Sequence, residues 1–173
     1  MGKNIVVFCG SQEINNTELK NEVIKQFEGF LKANKDKINS ILYGGGTTGV
    51  MGLVFDTATK VGITIKGYSL EKYRKYDEGN GVDLEFFSDD YSRVSSFERN
   101  GDVFLTLPGG EGTIREVGFV ADMISGDSDK KVYISSLFEV YVEMLKKLDS
   151  EGMLYPKDKE RKQIVRDLSE LII

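Results

Sequence analysis

Two hydrophobic rhythms alternate along the chain. Short unbroken apolar runs recur at 3–10 (KNIVVFCG), 40–44 (SILYG), 63–69 (ITIKGYS), 83–87 (DLEFF), 102–107 (DVFLTL) and 131–135 (KVYIS), each bounded by glycines or polar residues. Runs of this length with few internal charges predict strands buried on both faces. Between them lie longer segments with apolar residues at helical spacing. Leu19, Val23, Ile24, Phe27, Phe30 and Leu31 line one face after a candidate cap at Thr17; Val50, Val54, Ala58 and Val61 line another. Further helices are predicted over 89–101, stopped by Gly101, over 112–126, and over two closing segments, 137–152 and 157–173. Residues 71–82 (EKYRKYDEGNGV) are polar and read as a solvated loop or a lid. Strict alternation of strand and helix implies parallel strands joined by right-handed crossovers. The expected fold class is α/β: a single Rossmann-like, doubly wound parallel sheet with helices on both faces, spanning residues 1–173 as one domain.

Composition narrows the function. The net charge of −5 and pI near 5.0 disfavour a broad nucleic-acid-binding face, while leaving room for a local anion site. The single cysteine, Cys9, rules out a disulfide within the chain and reads as a small buried hydrophobe. No apolar run reaches membrane-spanning length, the N-terminal run is too short for a signal-peptide core, and Val6 stands where a myristoylation signal wants Ser or Thr. A cytoplasmic protein without membrane attachment is expected. The chain has no histidine, which removes Ser–His and Cys–His catalysis and argues against a zinc site. Acid–base chemistry falls to carboxylates, Lys, Tyr or Arg.

Three strand-to-helix turns are built from small residues: Gly10-Ser11, Gly44-Gly45-Gly46-Thr47-Thr48-Gly49 and Gly109-Gly110-Glu111-Gly112-Thr113. In a parallel sheet they fall at one edge, where doubly wound folds bind ligands. One such turn would do no more than close a tight connection; three together point to a ligand. Glycine lets backbone approach the ligand closely, and the helix start behind each turn presents free N–H groups, an arrangement suited to phosphate. Two familiar phosphate fingerprints fail. Gly44, Gly46 and Gly49 match G-x-G-x-x-G, but the next strand ends at Lys66-Gly67-Tyr68 without the acid that a dinucleotide site wants, and TTGVMG lacks the P-loop lysine.

Glu116 lies one turn beyond Gly112 and on the same helix face. Helical side chains lean toward the N-terminus, so its carboxylate is directed back toward whatever the preceding amides hold. A phosphate and a carboxylate then need something between them, such as a sugar. The plain alternative is favourable charge in a first helical turn. Arg93 and Arg99, on the preceding helix, do not stand out by spacing.

The motifs VVFCGS, YGGGTTGVMG and PGGEGTIRE, in this order, resemble the signatures of the LONELY GUY family of cytokinin riboside 5′-monophosphate phosphoribohydrolases, relatives of which carry the label lysine decarboxylase. A decarboxylase would need a Schiff-base lysine motif for pyridoxal phosphate, and the sequence has none. The resemblance covers nearly the whole chain. It implies cleavage of the N-glycosidic bond of a nucleoside monophosphate, with AMP or cytokinin nucleotides as candidate substrates, releasing base and ribose 5-phosphate. It places Arg93 and Glu116 as the catalytic pair and Arg99 at a second basic position. Gly109, Gly110, Gly112 and Thr113 would hold the 5′-phosphate, helped by Gly10, Ser11, Gly45 and Gly46. Arg93 would orient Glu116 and keep it ionised. The resemblance further implies a homodimer needing neither metal nor other cofactor. The chain departs from the family pattern at Val94, where a lysine is usual; at Arg115, usually acidic; in DDYS (89–92); and in GYSL (67–70) after the third strand. A nucleotide-binding protein without turnover is the alternative on the same scaffold.

Overall fold

The computed structural model describes residues 2–124 and 130–173. Residues 125 and 126 of the segment read as a helix over 112–126 lie outside them. Seven strands, β1 (Lys3–Phe8), β2 (Ile38–Tyr43), β3 (Ile65–Leu70), β4 (Asp83–Phe87), β5 (Val103–Thr106), β6 (Val132–Ser135) and β7 (Lys162–Val165), form one sheet in the order β4-β3-β2-β1-β5-β6-β7. Every pairing is parallel. The α/β expectation therefore holds. Strands alternate their side chains between two cores. Ile5, Val7, Ile41, Tyr43, Val103 and Leu105 meet α1 (Thr17–Ala33) and α2 (Gly49–Val61) on one face. Val6, Phe8, Leu42 and Phe104 meet α4 (Asp90–Asn100), α5 (Glu111–Met123) and α6 (Glu139–Ser150) on the other, with Phe97 edge-on to Phe8 at 5.6 Å. No helix of the described residues is long and apolar enough to cross a membrane.

The chain steps outward from β1 to β4, then returns to lay β5 against the free side of β1. The strand order reverses there, and a doubly wound sheet opens its ligand crevice at that point. Pairing continues past the strand ends: Leu107 N–H donates to Phe8 O at 2.9 Å and Gly10 N–H to Pro108 O at 3.1 Å. The two turns thus touch backbone to backbone. A Cβ on Gly10 would stand 2.9 Å from Gly109 Cα, so glycine is required by contact.

Three local expectations change. Asn16, rather than Thr17, caps α1, its side chain accepting from Leu19 N–H at 3.0 Å. The 71–82 segment is not a plain loop: it carries a 3-10 turn at Glu71–Tyr73 and the short helix α3 (Arg74–Asp77). The second closing helix is confined to α7 (Pro156–Arg161); the chain then becomes β7 and a 3-10 turn at Leu168–Glu170. The open edge of β6 takes a strand there because its unpaired backbone groups gain a full ladder. The tail that follows packs on α1. Leu168 is fully buried, and Asn34 joins the tail to α1: its Nδ2 donates to Phe30 O of the helix (3.0 Å) and to Leu171 O of the tail (2.8 Å), and its Oδ1 accepts from Ile173 N–H (3.0 Å).

Asn34→Ala should therefore destabilise the fold by roughly 1–3 kcal/mol, the cost of leaving buried polar groups unpaired. At about 2–4 °C per kcal/mol for a chain of this size, a thermal melt should fall by several degrees. An unchanged midpoint would show that these hydrogen bonds contribute nothing to stability.

Candidate active site

The helix starts at the crevice are not equivalent. At α2, Gly49 N–H donates to Glu13 Oε1 at 3.0 Å and Met51 N–H to Gly10 O at 3.0 Å. The protein's own carboxylate already sits on this helix start. Lys20 (3.0 Å) and the Gly49 amide hold Glu13 below the ordinary carboxylate range. At α5 the cap is Gly110, which offers no side chain, and the first intrahelical bond runs from Ile114 N–H to Gly110 O at 3.2 Å. The amides of Glu111, Gly112 and Thr113 are the orphan donors of that helix. A Cβ at Gly110 or Gly112 would meet nothing within 4 Å, so the space before these amides is open. Of the glycine-rich turns, the one at 109–112 thus leads into a helix start whose amides meet no side-chain acceptor among the described residues.

That space belongs to a cavity of about 780 Å³. Gly10, Ser11, Gly46, Gly109, Gly110, Gly112, Thr113, Arg93 and Glu116 line it, as the motifs imply. Gly45 and Arg99 do not. Gly45 (φ +87°) turns away from the cavity against β3 and β4, its Cβ position lying 2.7 Å from Leu84 Cδ2 and 3.5 Å from Gly67 Cα. Arg99 is six residues beyond Arg93, at the far end of α4, where it is exposed and bonds Ser96 Oγ at 3.2 Å.

Arg93 and Glu116 meet in the cavity wall. They are 7% and 8% exposed, which for charged residues is deep burial. Asp89 caps α4, accepting from Ser92 N–H at 2.8 Å, and so fixes the turn from which Arg93 projects. Arg93 Nη2 donates to Glu116 Oε1 and to Asp90 Oδ1 (3.0 Å), and Nη1 reaches Tyr68 O at 3.5 Å. Its Nε has no partner among the described residues. Asp90 also pairs with Arg115 at 3.0 Å, so Arg115 joins the same network at the cavity wall. Asp90 carries no motif signal; its only trace in the sequence is its position three residues before Arg93, a spacing that places both on one helix face.

Burial raises the Glu116 carboxyl above its ordinary value, and Arg93 offsets only part of that rise. Arg93 acts in the direction expected of it, favouring the ionised carboxylate, while desolvation is the larger effect. The Cys9 thiol, also on the cavity, is driven far up by burial and next by the Glu116 charge, which leaves it neutral and a poor nucleophile. Among the described residues no three His, Cys, Asp or Glu side chains gather as metal ligands would. The opposite wall comes from the 71–77 segment, where Lys72, Tyr73, Tyr76 and Asp77 face the cavity beside Ser69. The polar composition of that segment left a solvated loop and a lid as alternatives; its place beside the cavity comes from the fold.

The sequence is similar over most of its length to cytokinin riboside 5′-monophosphate phosphoribohydrolases. One from Arabidopsis thaliana is 29% identical over 160 residues, 89% of this chain and 73% of that protein. One from Rhodococcoides fascians is 27% identical over 177 residues, 98% of this chain and 87% of that protein. No family model matches the sequence. Among solved structures, the molybdenum cofactor binding protein of Rippkaea orientalis shares the fold at TM-score 0.65 and 18% identity, covering 97% of this chain and 91% of that one. The Moco carrier protein of Chlamydomonas reinhardtii does so at TM-score 0.66 and 17% identity, covering 98% and 92%. At these identities the structures establish a common fold and no more.

Removing Arg93 leaves a buried carboxylate without its cation, so Arg93→Ala should cost roughly 3–5 kcal/mol at neutral pH. A carboxyl whose folded pKa lies above its unfolded one takes up a proton on folding, so its burial opposes folding at high pH and ceases to do so once both states are protonated. The deficit of Arg93→Ala should accordingly shrink as pH falls through the raised Glu116 pKa. Urea unfolding of both proteins across pH measures it; a deficit that grew on acidification would contradict this electrostatic account.

Proposed function

We propose that the chain is a nucleoside 5′-monophosphate phosphoribohydrolase, a hydrolase of N-glycosyl bonds that acts on AMP or cytokinin nucleotides. The observation that carries this reading is the buried Arg93–Glu116 pair set one helical turn below the α5 helix start, whose amides meet no side-chain acceptor among the described residues. The similarity to named phosphoribohydrolases supports it. The 5′-phosphate would occupy the α5 amides, with Thr113, Gly10 and Ser11 around it. One turn is about 5.4 Å, which leaves room for the ribose between phosphate and carboxylate. As the C1′–N bond breaks, its electron pair leaves on the base and positive charge grows on the sugar. Glu116 opposes that charge and takes the proton of the water that adds to C1′; the base gains one proton in turn. Holding the phosphate away from the reacting carbon positions the sugar without reacting itself. Arg93 orients Glu116, and its unpartnered Nε is a donor for a ligand oxygen. No metal or organic cofactor has a part in this scheme.

Incubation with AMP, CMP, GMP and isopentenyladenosine monophosphate, followed by chromatography for free base, tests the activity. Base should be released from at least one of them. Tight binding of a nucleotide without any base released would instead identify a binding protein. Glu116→Ala should lower turnover by roughly 10²-fold or more, the typical contribution of such a group, with phosphate affinity largely kept. Wild-type turnover should also fall on acidification through a pKa above the ordinary glutamate range, because Glu116 acts as the carboxylate.

We further infer a cytoplasmic homodimer. Tyr91 and Phe119, exposed on α4 and α5, pair edge-on at 6.2 Å and form an apolar patch suited to a second copy. Light scattering should give about twice the 19.4 kDa chain mass; a monomer at micromolar concentration would exclude it.

A further inference from the structure

We propose that Asp77 reads the base: its carboxylate accepts an N–H from the base edge, while Tyr73 and Tyr76 cover the ring. The inference rests on the phosphoribohydrolase reading for the orientation of the nucleotide. The α5 helix start lies at the end of β5, and the 71–77 wall lies above the end of β3. Three strand spacings separate β3 from β5, about 14 Å in all. Arg93 bridges that interval, touching Tyr68 O on β3 at one end and Glu116 on α5 at the other. With phosphate at α5 and C1′ beside Glu116, the base extends toward β3.

That wall offers a carboxylate and two tyrosine rings, groups that suit a base edge, while its cation, Lys72, lies over the Tyr73 ring at 4.9 Å. Ser69 is buried and donates its Oγ–H to Asp77 Oδ2 at 2.5 Å, which pins the carboxylate. The other oxygen, Oδ1, accepts no hydrogen bond from the described residues. An ionised carboxylate can only accept, so it favours a base that presents an N–H and disfavours one that presents lone pairs or carbon there. Tyr76 is 77% exposed although it borders the cavity, an aromatic face with nothing yet against it. Base–aromatic stacking is tolerant of base identity, so the tyrosines would supply affinity and Asp77 the selection.

Three nucleotides separate these roles: AMP, N6-methyl-AMP and purine riboside 5′-monophosphate, which carry two, one and no exocyclic N–H. Binding is measured by calorimetry on Glu116→Gln, so that turnover does not intervene, and kcat/KM on the otherwise native protein. AMP and N6-methyl-AMP should bind alike, and the purine riboside nucleotide roughly tenfold more weakly, the worth of one hydrogen bond to a charged group. Asp77→Ala should bring the three affinities together. Tyr76→Ala, a change on an exposed side chain that does not endanger folding, should weaken all three several-fold and preserve their ratios. Equal binding of all three by the Asp77-containing protein, a preference that survives Asp77→Ala, or no binding of any, overturns the proposal. Selective binding without base release would leave the base-reading wall standing and overturn the hydrolase reading alone.

Discussion

A glutamate removed from water must have a cation, and most of the site's architecture follows from meeting that need. Glu116 projects from α5 and Arg93 from α4. Their contact demands that the two helices pack side by side on one face of the sheet, with their N-terminal turns level at the crevice. Phe97, Val94, Val117 and Val120 supply the apolar packing that holds them so. The guanidinium is in turn held by Asp90 and by the Tyr68 carbonyl, which ties the pair to β3 as well. The pair stabilises little by itself, since both ions forgo hydration. Its consequence is an electrostatic one: a carboxylate held in place, with its proton affinity raised by burial and only partly restrained by its partner.

The glycine-rich turns look equivalent as sequence and do different work. Gly109 is glycine because a Cβ there would meet the Thr113 side chain and, at 2.9 Å, the Gly10 amide nitrogen, and the contact with Gly10 closes the crevice at the reversal of strand order. Gly49 (φ +60°) carries the chain into α2 under the oxygen of Gln12, with its amide committed to Glu13. At the turn into α5 no described side chain caps the helix, and Gly110, Gly112 and Thr113 line the cavity. Of the α2 and α5 helix starts, the one that meets no side-chain acceptor is therefore that of α5, supported by the shape that the other turns impose.

Much of this was legible in the chain. The alternation of buried runs and helical segments is a local pattern, and it led to the parallel sheet. The three motifs carry their own geometry, because glycine spacing dictates turn shape and a residue one turn into a helix must face its start. Glu116 could be singled out on that ground, and the family resemblance singled out Arg93. The departures have different causes. Residues 162–165 became an edge strand because β6 lay open beside them, and local spacing cannot show an open edge. Arg99 was carried to the site with its helix, yet six residues of helix turn and lift it away.

The sequence by itself determined the class of fold, the chemistry available without histidine, and the three glycine-rich turns, since these depend on residue type and short spacing. Tertiary structure alone decided that Asp90 joins Arg93 to Arg115, that Glu13 occupies the other helix start, and that the 71–77 segment with Asp77 walls the cavity. Each of these joins residues from different elements, or places a segment over a strand that the chain left behind. Such contacts depend on how the sheet is ordered and twisted, and no local pattern encodes them.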